Sequence, residues 1–398
     1  MAKRKLPNWL KSLSEYVEET EAPRSFWFWG GISTICSALQ RKVWIPYGLE
    51  NLYPNIYLLI VAKPGERKGG PPTLSKKLLE DIHVPVAVDS SSKRALTKEL
   101  AETVKTEQFT YKGKPRPMAA ISVISKEMSS LLAVDPKGII EVLTDLFDSH
   151  DSWKYKTSGQ GQDYLYNVCV NCFIVTTPTW LMRNLPEEAI GGGYTARQIV
   201  ISQGERYKDV PIPPTPDKNL YKALKEDLNK INRIVGEFVW ESEAVDFFDK
   251  WYRTLPKLSR QVKDERVINF LQRIHVMAIK VAMALRVSYS DELILTVEDI
   301  GRAVELLNSV VQGIPSAFGG HGASRLGPDT HKVMDQIKLL KNTTFKELLG
   351  ANYRNLTKSD LQEVIETIEG MGRIKVAFHT DIQDYKIAWV KGKGVNDE

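Results

Sequence analysis

Four side chains in this 398-residue sequence stand where they can act on a phosphorylated ligand: Lys68, Glu127, Thr177 and Arg197. Lys68 lies in Lys63-Pro64-Gly65-Glu66-Arg67-Lys68-Gly69-Gly70, between the apolar run 56–61 and a helix-forming run, 74–81. A strand, a glycine-bearing loop with a lysine and then a helix suit a phosphate group. Glycine lets the backbone come close, N–H groups and a helix N-terminus attract the anion, and the ammonium reaches the outer oxygens. The usual triplet in such loops is Gly-Lys-Ser/Thr. Here it is Arg67-Lys68-Gly69, so the hydroxyl that would ligate a metal is missing. Pro71 and Pro72 fit a first helical turn but remove two N–H donors. Glu127 follows Lys126 at the end of the apolar run 119–125, where a carboxylate can orient an attacking water. Thr177 closes the apolar run 169–176, and Arg197 follows Gly191-Gly192-Gly193 just ahead of the run 198–201.

These groups need a frame that brings strand ends together. From residue 51 to residue 209, strand-like runs at 55–61, 84–88, 119–125, 169–176 and 198–201 alternate with helical runs at 93–105, 128–132, 138–147 and 178–184. That alternation predicts an α/β core with a mostly parallel sheet covered on both faces. Residues 1–50 form an N-terminal helical and aromatic segment. Its Ser25-Phe26-Trp27-Phe28-Trp29 stretch reads as core packing in preference to a base-stacking platform. Val210-Pro211-Ile212-Pro213-Pro214-Thr215-Pro216 is a linker by composition. Residues 217–318 carry helical periodicity, including one long helix over 267–287 with Arg273 on it. Residues 329–392 read as helices at 332–340, 344–349 (stopped by Gly350) and 358–369, then a β-hairpin, the order of a winged helix.

Composition narrows the function classes. The chain is 42% hydrophobic, 26% charged and 9% aromatic, which describes folded domains and not a disordered chain. Its formal net charge of +5 permits a nucleic-acid partner without requiring one. No apolar run approaches the ~20 residues that span a bilayer, and the basic start lacks the apolar stretch of a secretory signal. Three cysteines fit a reducing compartment. Cys169 and Cys172 form a C-x-x-C, but within a strand they point to opposite faces, and no second pair completes a metal site. They read as core residues.

Two polar inserts precede the strands that end in Glu127 and Thr177. Residues 108–117 carry Lys112, Lys114 and Arg116 among Phe109 and Tyr111; residues 153–166 carry Lys154 and Lys156 among Trp153 and Tyr155. Alternation around glycine turns predicts hairpins. Basic groups for phosphate and aromatic faces for bases suit single-stranded DNA, while solvated surface loops fit the same residues. In the third helix of the tail, Glu363, Glu366 and Glu369 oppose the groove-reading role usual for that position.

In this order the motifs resemble AAA+ ATPases, and among them replicative helicases of phages and mobile elements, distantly minichromosome-maintenance-like. Tyr53-Pro54-Asn55-Ile56-Tyr57, Pro64-Gly65-Glu66-Arg67-Lys68-Gly69, Thr177-Pro178-Thr179-Trp180 and Gly191-Gly192-Gly193-Tyr194-Thr195-Ala196-Arg197 carry the likeness. The resemblance implies a P-loop ATPase core over 51–209, a helical lid over 217–318 and a C-terminal winged helix. It implies Lys63 to Gly70 as the ATP-binding loop with Lys68 as the Walker A lysine, and Glu127 as the Walker B glutamate. It places Thr177 at sensor 1, Arg273 at sensor 2, and Arg197 as a finger reaching the neighbouring subunit of a ring, expected to be hexameric. ATP and Mg2+ are the implied cofactors. With Gly69 and Lys126 at the usual ligand positions, the metal is expected to rest on nucleotide and water. The implied setting is the cytoplasm of a bacterial or archaeal host, with single-stranded DNA in the channel, lined by Lys112, Lys114, Arg116, Lys154 and Lys156. A loader or primase would be a further partner, and a membrane would not. A non-hydrolysing initiator or loader scaffold on the same fold is the alternative.

Overall fold

The computed structural model describes residues 3–89, 92–157, 161–186, 189, 193–202, 207–318, 327–353, 356–381 and 383–390. The chain divides into two compact units, residues 1–319 and residues 320–398.

The first unit is built on four parallel strands: β1 (Tyr57–Val61), β2 (Ala120–Ser125), β3 (Cys169–Thr176) and β4 (Gln198–Ile201), in spatial order β4-β1-β3-β2. Residue 86, in the expected strand 84–88, contributes only a parallel bridge to Ser122 of β2. Every residue of the four strands is buried. That is why they read as nearly continuous apolar runs, with Ser122, Asn171 and Gln198 among the few polar residues, and not as alternating ones. Cys169 and Cys172 are both in this buried strand set, and burial raises both thiols above their ordinary value. The mostly parallel α/β core is therefore present.

The aromatic N-terminal segment is part of the same core. Helix Arg24–Leu39 lays Phe26, Trp29, Ile32, Ile35 and Leu39 inside it. Gly30 and Gly31 allow this close approach: a Cβ at Gly30 would stand 3.1 Å from the Phe173 ring, and one at Gly31 2.7 Å from Leu10. The helical region after residue 217 joins this core through helices Lys218–Ile231, Ile274–Val287 and Val297–Ala317. The helix expected over 267–287 is broken. Glu265–Leu271 and Ile274–Val287 meet at 57°, with Arg273 at the N-cap of the second. No single helix among the described residues is long and apolar enough to cross a membrane; this bent pair passes only as a pair.

Two lysines are buried here without a carboxylate at hydrogen-bond distance among the described residues. Lys280 donates to Asn55 Oδ1 at 2.7 Å over the Phe147 ring, and Lys42 donates to Asn232. Burial pulls Lys280 down to about 8 and Lys42 to about 7 from the usual 10.5. Between those values and 10.5 the unfolded chain holds more protons than the folded one, so stability rises with pH. Above about 9 the buried thiols reverse the trend, because the unfolded chain then loses protons that the fold retains. Melting temperature is expected to climb from about pH 7 to about pH 9, and Lys280→Met to flatten the climb above about pH 8. Thermal melts across that range test it.

The second unit has its own small core of Val333, Ile337, Leu348, Leu361, Val364, Ile368, Ile374 and Ile387. Helices Gly327–Leu340, Phe345–Asn352 and Lys358–Gly370 pack on a three-stranded antiparallel sheet of Asn342–Thr344, Ile374–His379 and Asp384–Trp389. Gly350 does not stop the middle helix. A glycine inside a helix costs only ~1 kcal/mol, while Thr344 and Glu347 form a capping box and Leu348 is buried. The sequence reading also missed the short strand Asn342–Thr344 that completes the sheet.

Candidate functional site

The Lys68 loop leaves the carboxyl end of β1 and enters helix Gly70–Asp81. Gly65 has φ +91° and Arg67 φ +53°; left-handed residues among right-handed ones turn successive N–H groups toward one concave side. The backbone N–H groups of Gly65, Arg67, Lys68 and Gly69 donate to no acceptor among the described residues. A Cβ at Gly65 or Gly69 would meet nothing within 4 Å, so the loop is open. Lys68 is only 9% exposed, yet its Nζ reaches a single acceptor among the described residues, the Lys63 carbonyl at 3.3 Å. Glu66 folds over the loop and accepts the Lys63 N–H at 3.0 Å. Arg67 turns away to pair with Glu21 at 2.5 Å. Pro71 and Pro72 are buried in the helix's first turn.

Register aligns the other groups with this loop. Val61 pairs with Thr176, and Ser125 with Ile174. Glu127 follows two residues beyond the end of β2, which lies two strand spacings or ~10 Å from β1. Glu127 and Lys126 are exposed at this edge. Thr177 caps helix Pro178–Asn184, accepting the Trp180 N–H at 3.2 Å. Its hydroxyl hydrogen is left to donate elsewhere. Lys68, Glu127 and Thr177 therefore share the carboxyl edge of the sheet.

A cavity of about 410 Å³ beside the loop was not foreseen from sequence. Val17, Ala22, Trp27, Phe28, Trp29 and Tyr207 give it an aromatic and apolar lining. Trp27 connects it to the loop, since its ring lies 3.1 Å from where a Cβ of Gly70 would be. Trp27 Nε1 is buried without a partner among the described residues. Glu21 ties the same region together, pairing with Arg67 and accepting the Tyr207 and Val210 N–H groups at 3.0 and 3.2 Å. The run 26–29 was the available signal; it both packs and lines a pocket.

Arg197 and Arg273 lie elsewhere. Arg197 sits in the short turn Thr195–Arg197 that leads into β4, at the amino edge of the sheet. Its guanidinium is folded into its own subunit: Nη2 pairs with Asp148 at 2.9 Å and Nη1 donates to the Gly193 carbonyl at 2.9 Å. Its side chain is buried, and a carboxylate 49 positions earlier in the chain holds it, so reaching outward to a neighbour requires that pair to open. Arg273 points to the same Asp148 at 4.0 Å and is 39% exposed. It therefore shares its carboxylate with Arg197, toward the amino edge and away from the Lys68 loop. Burial, and then the neighbouring Arg197, hold Arg273 below the usual arginine range.

Both basic inserts are hairpins at this amino edge. The first pairs Gln108–Tyr111 with Lys114–Pro117 through Lys112 and Gly113, at φ 50° and 73°, a type I′ turn. Lys112, Lys114 and Arg116 are exposed. Lys112 and Arg116 each lie 5.3 Å from the Tyr111 ring, which packs edge-on against Trp44 at 4.7 Å. The second pairs Ser152–Thr157 with Gly161–Tyr166; its tip, residues 158–160, lies outside the described residues. Trp153 and Tyr155 stack at 5.7 Å on one face. Lys154, Tyr164 and Tyr166 are exposed on the other, and Lys156 occupies the same strand opposite Gln162. The Asn167 amide donates to the Pro117 carbonyl at 2.7 Å and joins the two hairpins.

The residues fit a phosphate better than a metal. Gly69 offers no hydroxyl, Lys126 stands where a carboxylate would, and no group of three metal-ligating side chains occurs among the described residues. No family model matches the chain, and no curated protein matches it.

Proposed function

We propose that this chain is an ATP-dependent DNA translocase of the AAA+ type. It would work as a ring oligomer on single-stranded DNA during replication of a phage or mobile element in the host cytoplasm, with a winged helix as its second unit. One observation carries the reading: the open lysine loop, Glu127 and Thr177 occupy one edge of the parallel sheet, and two basic, aromatic hairpins occupy the other. Strand β3 has 8 residues and joins the two edges, a span of ~25 Å. In this reading a change at Thr177 passes to the second hairpin along β3, which pairs directly with β1, the strand that carries the lysine loop.

In this reading the free N–H groups and Lys68 hold the phosphates, and the aromatic cavity beside Trp27 takes the base. Glu127 orients water, and the Thr177 hydroxyl donates toward the outermost phosphate. The described residues supply no cluster of three His, Cys, Asp or Glu side chains for Mg2+. Lys154 engages DNA phosphate while Tyr164 and Tyr166 offer stacking faces. Tyr164→Ala is expected to cost ~1–3 kcal/mol of single-strand affinity, and Lys154→Ala to reduce the slope of log affinity against log salt by about 0.7. Oligonucleotide titrations at several salt concentrations test both.

A second reading, the nucleotide-binding scaffold that does not hydrolyse, is favoured by Gly69, Lys126 and the Asp148-bound Arg197. Arg197 can serve a neighbour only after leaving Asp148. Phosphate release assayed with and without single-stranded DNA separates the readings. DNA-stimulated release abolished by Lys68→Ala supports the motor; ATP-dependent assembly without release supports the scaffold; a monomer that binds no nucleotide overturns both.

A further inference from the structure

We infer that the base of the first hairpin holds a cleft for one nucleotide unit, with the base in a slot and its phosphate on Lys112 and Arg116. The cleft has a volume of about 240 Å³. A cavity that takes benzene is ~150 Å³, so one base fits and a stacked pair does not. Trp44, Tyr53 and Phe109 line it and belong to a small core with Met118, Ala120 and Cys169, separate from the main one. The aromatic wall is therefore set before a ligand arrives. Tyr111 borders the slot, half-buried and edge-on to Trp44 at 4.7 Å.

Charge divides the cleft in two. Lys112 and Arg116 are exposed on the hairpin, and neither pairs with a carboxylate among the described residues; each lies 5.3 Å from the Tyr111 ring. Arg41 also reaches the cleft, but its guanidinium is committed to three carbonyls and Asp151. Glu237 lines the cleft from a different element, the strand Gly236–Glu237, whose parallel register makes it the partner of Trp44. Its Oε2 accepts the Trp44 Nε1–H at 3.2 Å, and Oε1 has no partner among the described residues. A carboxylate there repels a second anion and accepts an N–H. Asn51 lines the same slot, and Asn167 keeps Oδ1 available while its amide donates to the Pro117 carbonyl. One anion at the basic hairpin, and a planar ring with N–H groups beside a carboxylate and two amides, describe a nucleotide. An acidic peptide supplies the charge without a ring edge that Glu237 can read. The nucleotide comes from a single strand or from a free monophosphate. The strand source rests on the single-strand reading above; the cleft itself does not.

The test is photo-crosslinking of the full-length chain to two probes, a single strand of about 12 nucleotides with one 5-iodouracil and free 5-iodo-deoxyuridine monophosphate. Peptide mass spectrometry maps the adducts. Adducts on Trp44, Tyr53 or Tyr111 are expected; from the strand alone they assign the polymer, and from both probes the free nucleotide as well. Lys112→Ala plus Arg116→Ala should lower affinity for the bound probe at least about tenfold, and lower the salt slope for the strand by about 1.4. Both side chains are exposed, so the core is untouched. Tyr111→Leu should cost at least about fivefold through lost stacking. No adducts, adducts only elsewhere, adducts indifferent to the double variant, or equal displacement by an acidic peptide would overturn the inference. Strand affinity that depends on Tyr164 but not on Lys112, Arg116 or Tyr111 would overturn it and leave the single-strand reading standing. Cleft adducts from the free monophosphate with no strand affinity would keep the cleft and remove the single-strand reading.

Discussion

Lys68→Ala is expected to lower nucleotide affinity, and any turnover, by about 10²-fold, the scale on which removing one preorganised donor to a phosphate or oxyanion acts. The side chain is 9% exposed, and the lone carbonyl near its Nζ leaves most of its positive charge uncompensated. No carboxylate pairs with it among the described residues, so alanine removes a ligand contact and little of the fold. Melting temperature without nucleotide should therefore stay near the parent value, while stabilisation by added nucleotide disappears. Lys68→Arg should restore little, because a planar fork does not replace a compact ammonium inside the same loop. Calorimetric titration with ATP, paired with thermal melts, separates the binding defect from a folding defect. Undiminished nucleotide affinity in Lys68→Ala would remove the site.

Arg41→Ala is the substitution expected to damage the fold most. Arg41 is 2% exposed. It donates to the carbonyls of Ser149, His150 and Val168, pairs with Asp151, and lies 4.0 Å over the Tyr53 ring. These partners are the chain entering the second hairpin and the chain leaving it, so one guanidinium clamps the hairpin's base. Alanine leaves buried carbonyls without a donor and opens a cavity, a loss of about 3–5 kcal/mol by analogy with breaking one side of a buried pair. Lysine cannot span the three carbonyls with one ammonium, so Arg41→Lys should recover only part of it. Denaturant unfolding gives the stability change. Single-strand affinity should fall in step, because Lys154, Tyr164 and Tyr166 depend on the clamped base. A variant that retains both would assign the clamp elsewhere.

The resemblance and the geometry agree unevenly. The lysine loop, Glu127 and Thr177 converge because each follows a strand of one parallel sheet, and parallel strands deliver their carboxyl ends to one edge. The hairpins stand at the other edge because each precedes such a strand. Those placements follow from order along the chain. The shared grip of Asp148 on Arg197 and Arg273 was not legible, because order along the chain does not say which carboxylate a guanidinium finds. Asp148 lies in a segment between a helix and a hairpin, where nothing in the sequence pattern pairs it with an arginine.

By itself the amino-acid sequence determined the alternation of strands and helices, the open loop around Gly65, the two hairpins and the helices of the second unit. These are set by side-chain periodicity and by backbone preferences over a few residues, and such signals are local. Only the tertiary structure decided strand order, the break before Ile274, the cavity under Trp27 and the Asp148 grip on Arg197. Each of these joins residues far apart in the chain, and the free energy that selects them arises only when the whole core closes.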